Sequence, residues 1–184
     1  MIMMTNIQSV LSYRFTAPEK LFFDASVWLP IFASHHYSPD SVGLYSNFYK
    51  VCLDAKCEIY IDTLIMSEFI NTYARTEFNH AGGTLRYKNF KLYRASGEFT
   101  PIADAIAAAC REMLKHSIRI GSGFETVNAK TLLDDYATGK FDFNDQMYVE
   151  ICKANNLKLV THDGDFKDSG LFILTANQTL LSSV

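Results

Sequence analysis

KLFFDASVWL, residues 20–29, is an apolar run that ends on an acid and continues through small residues into further apolar ones. A strand covered on both faces reads as a continuous apolar run rather than an alternation, so this stretch predicts a buried parallel strand feeding a helix N-terminus. Asp24 then stands at the strand's carboxyl end. The same step recurs downstream. Ser38, Pro39 and Asp40 start a helix that places Val42, Tyr45, Tyr49 and Leu53 at helical spacing. Glu58 to Ile61 is a second strand, and Asp62 or Thr63 caps a helix carrying Leu64, Ile65, Phe69 and Ile70, with Glu68 in its first two turns.

Thr100 and Pro101 open a further helix through IADAIAAACREMLKHS, and IRIGSGF follows as a short strand closed by glycines. Residues 125–137 read as helix. Met147, Ile151 and Leu157 give an amphipathic helix around QMYVEICKANN, with Asp142, Asn144 and Asp145 at its start, where acids suit the helix dipole. LKLVTHD is a strand ending at Asp163, and LFILTA is the last one. Strands alternating with helices predict an α/β fold of three layers, α/β/α, with a mostly parallel central sheet and right-handed crossovers. Ligands of such sheets bind beyond the carboxyl ends of the strands.

The 184 residues, 48% of them hydrophobic, suffice for one substantial core and predict a single domain over 1–184. Within it, 1–19 is an N-terminal extension and 76–125 a variable middle region. A net charge of -3 offers no global basicity, so a nucleic-acid partner has to be met by a local patch. No apolar run reaches the roughly 20 residues that span a bilayer, and MIMMTNIQSV has no basic region ahead of its apolar stretch. The expectation is no membrane and a soluble, reducing, cytoplasmic setting. Cys52, Cys57, Cys110 and Cys152 lack CxxC pairing and read as free thiols rather than a disulfide framework or a zinc site.

Four acids share one predicted edge: Asp24 after LFF, Glu68 a helical turn past IYI, Asp145 at a late helix start, and Asp163 after KLVTH. Carboxylates gathered in this way repel and resist burial unless cations compensate them. Hard oxygen ligands select Mg2+ or Mn2+, ions that keep several waters and also bind substrate phosphate. The chemistry that follows is metal-assisted hydrolysis, with one ion orienting water and a second, about 3.5 to 4 Å away, stabilising the leaving oxygen.

LFFDASVWL, MSEF and NDQMYVEICKANNLKLVTHDGDF, in that order, resemble the PIN-domain ribonucleases, especially the toxins of the VapC type. The resemblance runs from residue 21 to 174 and is tight in these three blocks; the middle region has no detailed counterpart. It implies a PIN-like fold whose four acids are Asp24, Glu68, Asp145 and Asp163, serving as catalytic residues and metal ligands, with Ser26 and Thr161 as supporting hydroxyls. It also implies a metal-dependent endoribonuclease acting on RNA, the toxin of a type II toxin-antitoxin pair, with a small antitoxin as partner and a homodimer as its own assembly.

Each residue also has a plainer reading. Asp142 and Asp165 are auxiliary ligands or solvated cap and turn residues. Asp62 reads as an N-cap, Asp134 and Asp135 as a solvated helical face. Arg86, Lys88, Lys91 and Arg94 interleave with Tyr87, Phe90 and Tyr93, a composition that suits RNA phosphate contact and base stacking, or else a hairpin with its rings turned inward. Residues 76–99 as a whole fit a hairpin, a basic loop or an irregular helix. His35 and His36 have no acid or cysteine at metal-ligand spacing and read as loop or helix-end residues, and His162 stays outside the mechanism. The rival functional readings are a catalytically silent PIN-like module that binds RNA or protein, and a phosphoryl-transfer site using Asp24, for which LFFDAS lacks a second aspartate in D-x-D spacing.

Overall fold

The computed structural model describes residues 6–139 and 142–183. Among them, every strand pairing is parallel. In chain order the strands are β1 (Asn6–Ser9), β2 (Lys20–Phe23), β3 (Glu58–Ile61), β4 (Ile118–Arg119), β5 (Lys158–Val160) and β6 (Phe172–Thr175), and their order across the sheet is β1-β6-β5-β2-β3-β4. Leu21, Phe22 and Phe23 are fully buried, which is why the stretch reads as an unbroken apolar run. The chain leaves β2 toward β3 and β4, then returns to lay β5 against the other side of β2. That reversal opens a crevice at the carboxyl ends of β2 and β5, the place where doubly wound sheets hold ligands.

Helices cover both faces. Asp24 leads directly into α1 (Ala25–Phe32), a 3-10 turn follows at Ser34–His36, and α2 (Pro39–Asp54) is capped by Ser38 through the Ser41 amide. The buried face of α2 is Tyr45, Phe48 and Cys52, so the helix is rotated from the phase set by Val42, Tyr49 and Leu53. Asp62 caps α3 (Thr63–His80) by accepting the Ile65 amide at 2.9 Å, as its plainer reading requires. Residues 76–99 form no hairpin. They finish α3 and continue as α4 (Gly83–Arg86), α5 (Phe90–Arg94) and a 3-10 turn at Gly97–Phe99. Alternating residues lost to the helical option because Phe78, Tyr87, Phe90, Tyr93 and Phe99 pack ring against ring beside α3.

The remaining helices are α6 (Thr100–Lys115), α7 (Ala129–Ala137), α8 (Phe143–Asn155) and α9 (Gln178–Leu181). Asn156 ends α8 in the left-handed conformation, φ 53°, so Leu157 is buried as the first residue beyond the helix rather than as part of its periodic face. The segment read as an N-terminal extension supplies β1, which pairs with β6 and takes the sheet edge from it. Its continuation is anchored by Lys158, which donates to Glu19 at 2.6 Å and to the Tyr13 hydroxyl at 2.5 Å. The four cysteines are free thiols. No helix among the described residues is long and apolar enough to cross a membrane.

Candidate metal centre

Three helical N-termini meet the crevice between β2 and β5, and each brings an acid. Asp24 is the N-cap residue of α1, yet its side chain makes no capping hydrogen bond. Instead its Oδ2 accepts from Ser26 Oγ at 2.5 Å and from Thr161 Oγ1 at 2.7 Å. Ser26 Oγ in turn accepts the His162 amide at 3.0 Å, and Thr161 Oγ1 accepts the Asp163 amide at 2.9 Å. The two hydroxyls therefore stitch the end of β2 to the end of β5 and fix where Asp24 and Asp163 stand. Asp24 is only 4% exposed.

Asp142 caps α8 through the Asn144 amide, with Asp145 in the first turn; Asp163 caps the 3-10 turn Gly164–Asp168 through the Asp165 amide. Asp145, Asp163 and Asp165 each offer a carboxylate oxygen, and those oxygens lie within 4.8 Å of one another. Glu68 approaches from α3 and accepts from the Tyr148 hydroxyl of α8 at 2.6 Å. Of the two auxiliary acids, Asp165 joins Asp145 and Asp163, whereas one Asp142 oxygen is engaged in capping.

Among the described residues, none of Asp24, Glu68, Asp145 and Asp163 forms an ion pair. The consequence appears in the protonation of Asp24, Glu68 and Asp145. Burial pushes Asp24 up, against the hydrogen bonds from Ser26 and Thr161, and Asp163 adds repulsion. Burial likewise raises Glu68 despite the Tyr148 hydrogen bond, with Asp24, Asp142 and Asp163 repelling it. Asp145 is pushed up to about 7 by burial and by repulsion from Asp163, Asp24, Asp142 and Glu68. At these separations two carboxylates repel by on the order of 3 kcal/mol at an effective dielectric of about 20. Helix dipoles recover only a fraction of that, about 0.3–1 kcal/mol each. A divalent cation offsets the whole field at once, and an all-oxygen donor set selects Mg2+ or Mn2+. The donor set thus fits such an ion, with Asp145, Asp163 and Asp165 able to hold it and Asp24 and Glu68 bordering it.

A cleft of about 250 Å3 adjoins the acids, lined by Ser26, Pro30, Tyr37, Tyr45, Glu68 and His162 among others. Tyr45, buried on α2, holds His162 Nδ1 at 2.8 Å and accepts the Ala176 amide, so the loop after β5 is braced from α2. Neither Tyr45 nor Tyr148 announces itself in sequence. Tyr148 lies 80 residues from the Glu68 it serves, and in the helical pattern it is one more core aromatic. The basic segment lies elsewhere: Arg86, Lys88, Lys91 and Arg94 are exposed, while Tyr93 is buried and Tyr87 and Phe90 are partly so. Phe78, around which these rings gather, is ten residues past Glu68, about 15 Å along α3. The rings are spent on packing, Arg86 donates to Glu98 at 2.5 Å, and Lys88, Lys91 and Arg94 offer charge to solvent.

A parallel α/β sheet with clustered carboxylates at its switch point is a nuclease-like fold. The PIN domain family model matches residues 21–170, and the chain belongs to the PIN-domain family, whose members are generally nucleases that use divalent metals. A solved structure that the chain resembles is the crystal structure of PAE2754 from Pyrobaculum aerophilum, 13% identical, with 92% of this chain and 93% of that chain covered and a TM-score of 0.49. Comparison with curated proteins finds no match.

Proposed function

We propose that the protein is a metal-dependent endoribonuclease that hydrolyses RNA phosphodiester bonds, with Asp24, Glu68, Asp145 and Asp163 as its catalytic acids and metal ligands. The observation that carries this reading is the crowding of buried, uncompensated carboxylates at the switch point, where burial first and mutual repulsion second push Asp145 up to about 7. A bound Mg2+ or Mn2+ supplies an activated water and neutralises charge on the substrate phosphate. Ser26 and Thr161 hold the Asp24 carboxylate and the Asp163 backbone in register. Tyr148 holds the Glu68 carboxylate in place through its hydroxyl. Asp165 is an auxiliary ligand, and Asp142 acts through the α8 cap and through its charge.

Lys88, Lys91 and Arg94, with Arg86 once released from Glu98, provide the local positive surface for the RNA backbone beyond the cleft. The same reading makes the protein the toxin of a type II pair, its cleft covered by a small antitoxin, and a homodimer; the likeness of its three motif blocks to the VapC type supports this. The test is cleavage of structured and unstructured RNAs with Mn2+, comparing the parent with Asp24→Asn. Activity should require metal and fall by about a hundredfold or more in the variant. Cleavage that survives both chelator and substitution sinks the metal mechanism, and absence of cleavage with intact Mn2+ binding would leave the PIN-like binding module in its place.

A further inference from the structure

We propose a second metal site, at the C-terminal ends of α1 and α3, in which His35, His36 and Glu77 bind a divalent transition metal such as zinc. The Nε2 atoms of both histidines converge on one oxygen, Glu77 Oε1, each at 2.7 Å. The histidines come from the 3-10 turn after α1 and the glutamate from the penultimate turn of α3, so the three donors are brought together only by the packing of the two helices. Glu77 lies nine residues beyond Glu68, about 13 Å along α3, which separates this cluster from the acidic crevice.

The chemistry of the donors points to a borderline-soft ion. Two imidazoles and one carboxylate suit zinc, cobalt or nickel, whereas Mg2+ and Mn2+ favour the all-oxygen site. Zinc with ligands at about 2.0–2.2 Å sets tetrahedral donors roughly 3.3 Å apart, so an opening of a few tenths of an ångström converts the hydrogen-bonded triad into a coordination shell. The His36 side chain is 5% exposed and its Nδ1 is buried with no hydrogen-bond partner. In the triad Glu77 Oε1 accepts from Nε2; when the ion displaces that hydrogen bond, the neutral ring carries its proton on Nδ1 and the Nε2 lone pair faces the ion. Burial of Glu77 works against its charge, but the hydrogen bonds from His36 and His35 outweigh it and keep its pKa lowered. His35, 56% exposed at its side chain, leaves a route for the ion and for the water that completes four-coordination. Bound there, the ion clamps the connection leading to Tyr37, a wall residue of the cleft, onto α3.

The test uses the full chain carrying Asp24→Asn and Asp163→Asn, so that the acidic crevice does not compete. Zn2+ should bind with one ion per chain and raise the melting temperature, and Co2+ should develop the visible absorption of a tetrahedral N/O site. Adding His35→Ala, which removes an exposed ring and spares the core, or Glu77→Gln should weaken binding about tenfold or more and abolish the absorption. Zinc binding unchanged by both substitutions, or no zinc-dependent thermal shift in the acid-depleted chain, overturns the proposal. Manganese-dependent RNA cleavage in otherwise unaltered His35→Ala reports on the acidic site separately, so either site can fail without the other.

Discussion

The two ends of β5 treat charge in opposite ways. At the amino end Lys158 meets Glu19 at 2.6 Å and the Tyr13 hydroxyl at 2.5 Å, with the Lys158 ammonium also 4.4 Å from the centre of the Phe172 ring. At the carboxyl end, where Asp163 and Asp165 lie five and seven residues past Lys158, the chain gathers Asp163, Asp165, Asp145, Asp24 and Glu68 without pairing Asp24, Glu68, Asp145 or Asp163 to a cation among the described residues. The first end is complete as folded. The second carries charge that protons or a bound cation must offset, the kind of strain that accompanies functional sites.

The contrast is broken most severely by exchanging the ends' roles. Asp163→Asn should lower Mn2+-dependent cleavage by about a hundredfold or more while leaving the metal-free melting temperature unchanged or higher, since it removes repulsion and keeps an oxygen for the Asp165 amide. Lys158→Ala should do the reverse. It leaves Glu19 with only the Tyr13 hydroxyl as donor and its charge unpaired, and should cost about 2 kcal/mol in a urea titration, with cleavage per folded molecule intact.

Metal should act on one end only. At about a hundredfold excess over its Kd, Mn2+ should stabilise the parent by about 2.7 kcal/mol, roughly 5–10 °C in melting temperature, and leave the Asp24→Asn/Asp163→Asn chain unmoved. Tyr148→Phe should weaken Mn2+ binding about tenfold by freeing Glu68, with little change in metal-free stability, as isothermal titration would reveal.

The pH profile separates the ends as well. Asp145, at about 7 when folded, lies above its unfolded value of about 3.9. Its contribution is therefore fully present below pH ~4 and is lost as pH rises toward 7; Asp24 and Glu68, also raised, act with the same sign. Lys158 is raised as well, for although burial works to lower it, the hydrogen bonds it donates to Glu19 and Tyr13 prevail, and its contribution is lost only in the alkaline range above the ordinary lysine value. Metal-free urea midpoints should fall between pH 4 and 7 in the parent and flatten in Asp145→Asn. A fall that Asp145→Asn leaves in place would assign the titration to another group.

Local chemistry made much of this readable in sequence. An unbroken apolar run at 21–23 has one comfortable home, a strand covered on both faces, and acids at Asp24, Asp145 and Asp163 sit where helix N-termini accept them. Periodicity misled where rings could satisfy either option: the alternation through RYKNFKLYR became the end of α4, a short connection and α5 because Tyr93 and Phe90 found Phe78 and Phe99. β1 is a four-residue edge strand, too short for its pattern to stand out from a tail.

The sequence by itself determined the α/β alternation, the parallel sheet and the order of the four acids, because strand burial and helix capping act over a few neighbouring residues. Only the tertiary structure decided that Asp165 joins Asp145 and Asp163, that Tyr148 serves Glu68 across 80 residues, and that Glu77 meets two histidines 42 and 41 residues before it in the chain. Those contacts depend on how α3 and α8 pack across β2 and β5, a choice made by the whole core and carried by no local motif.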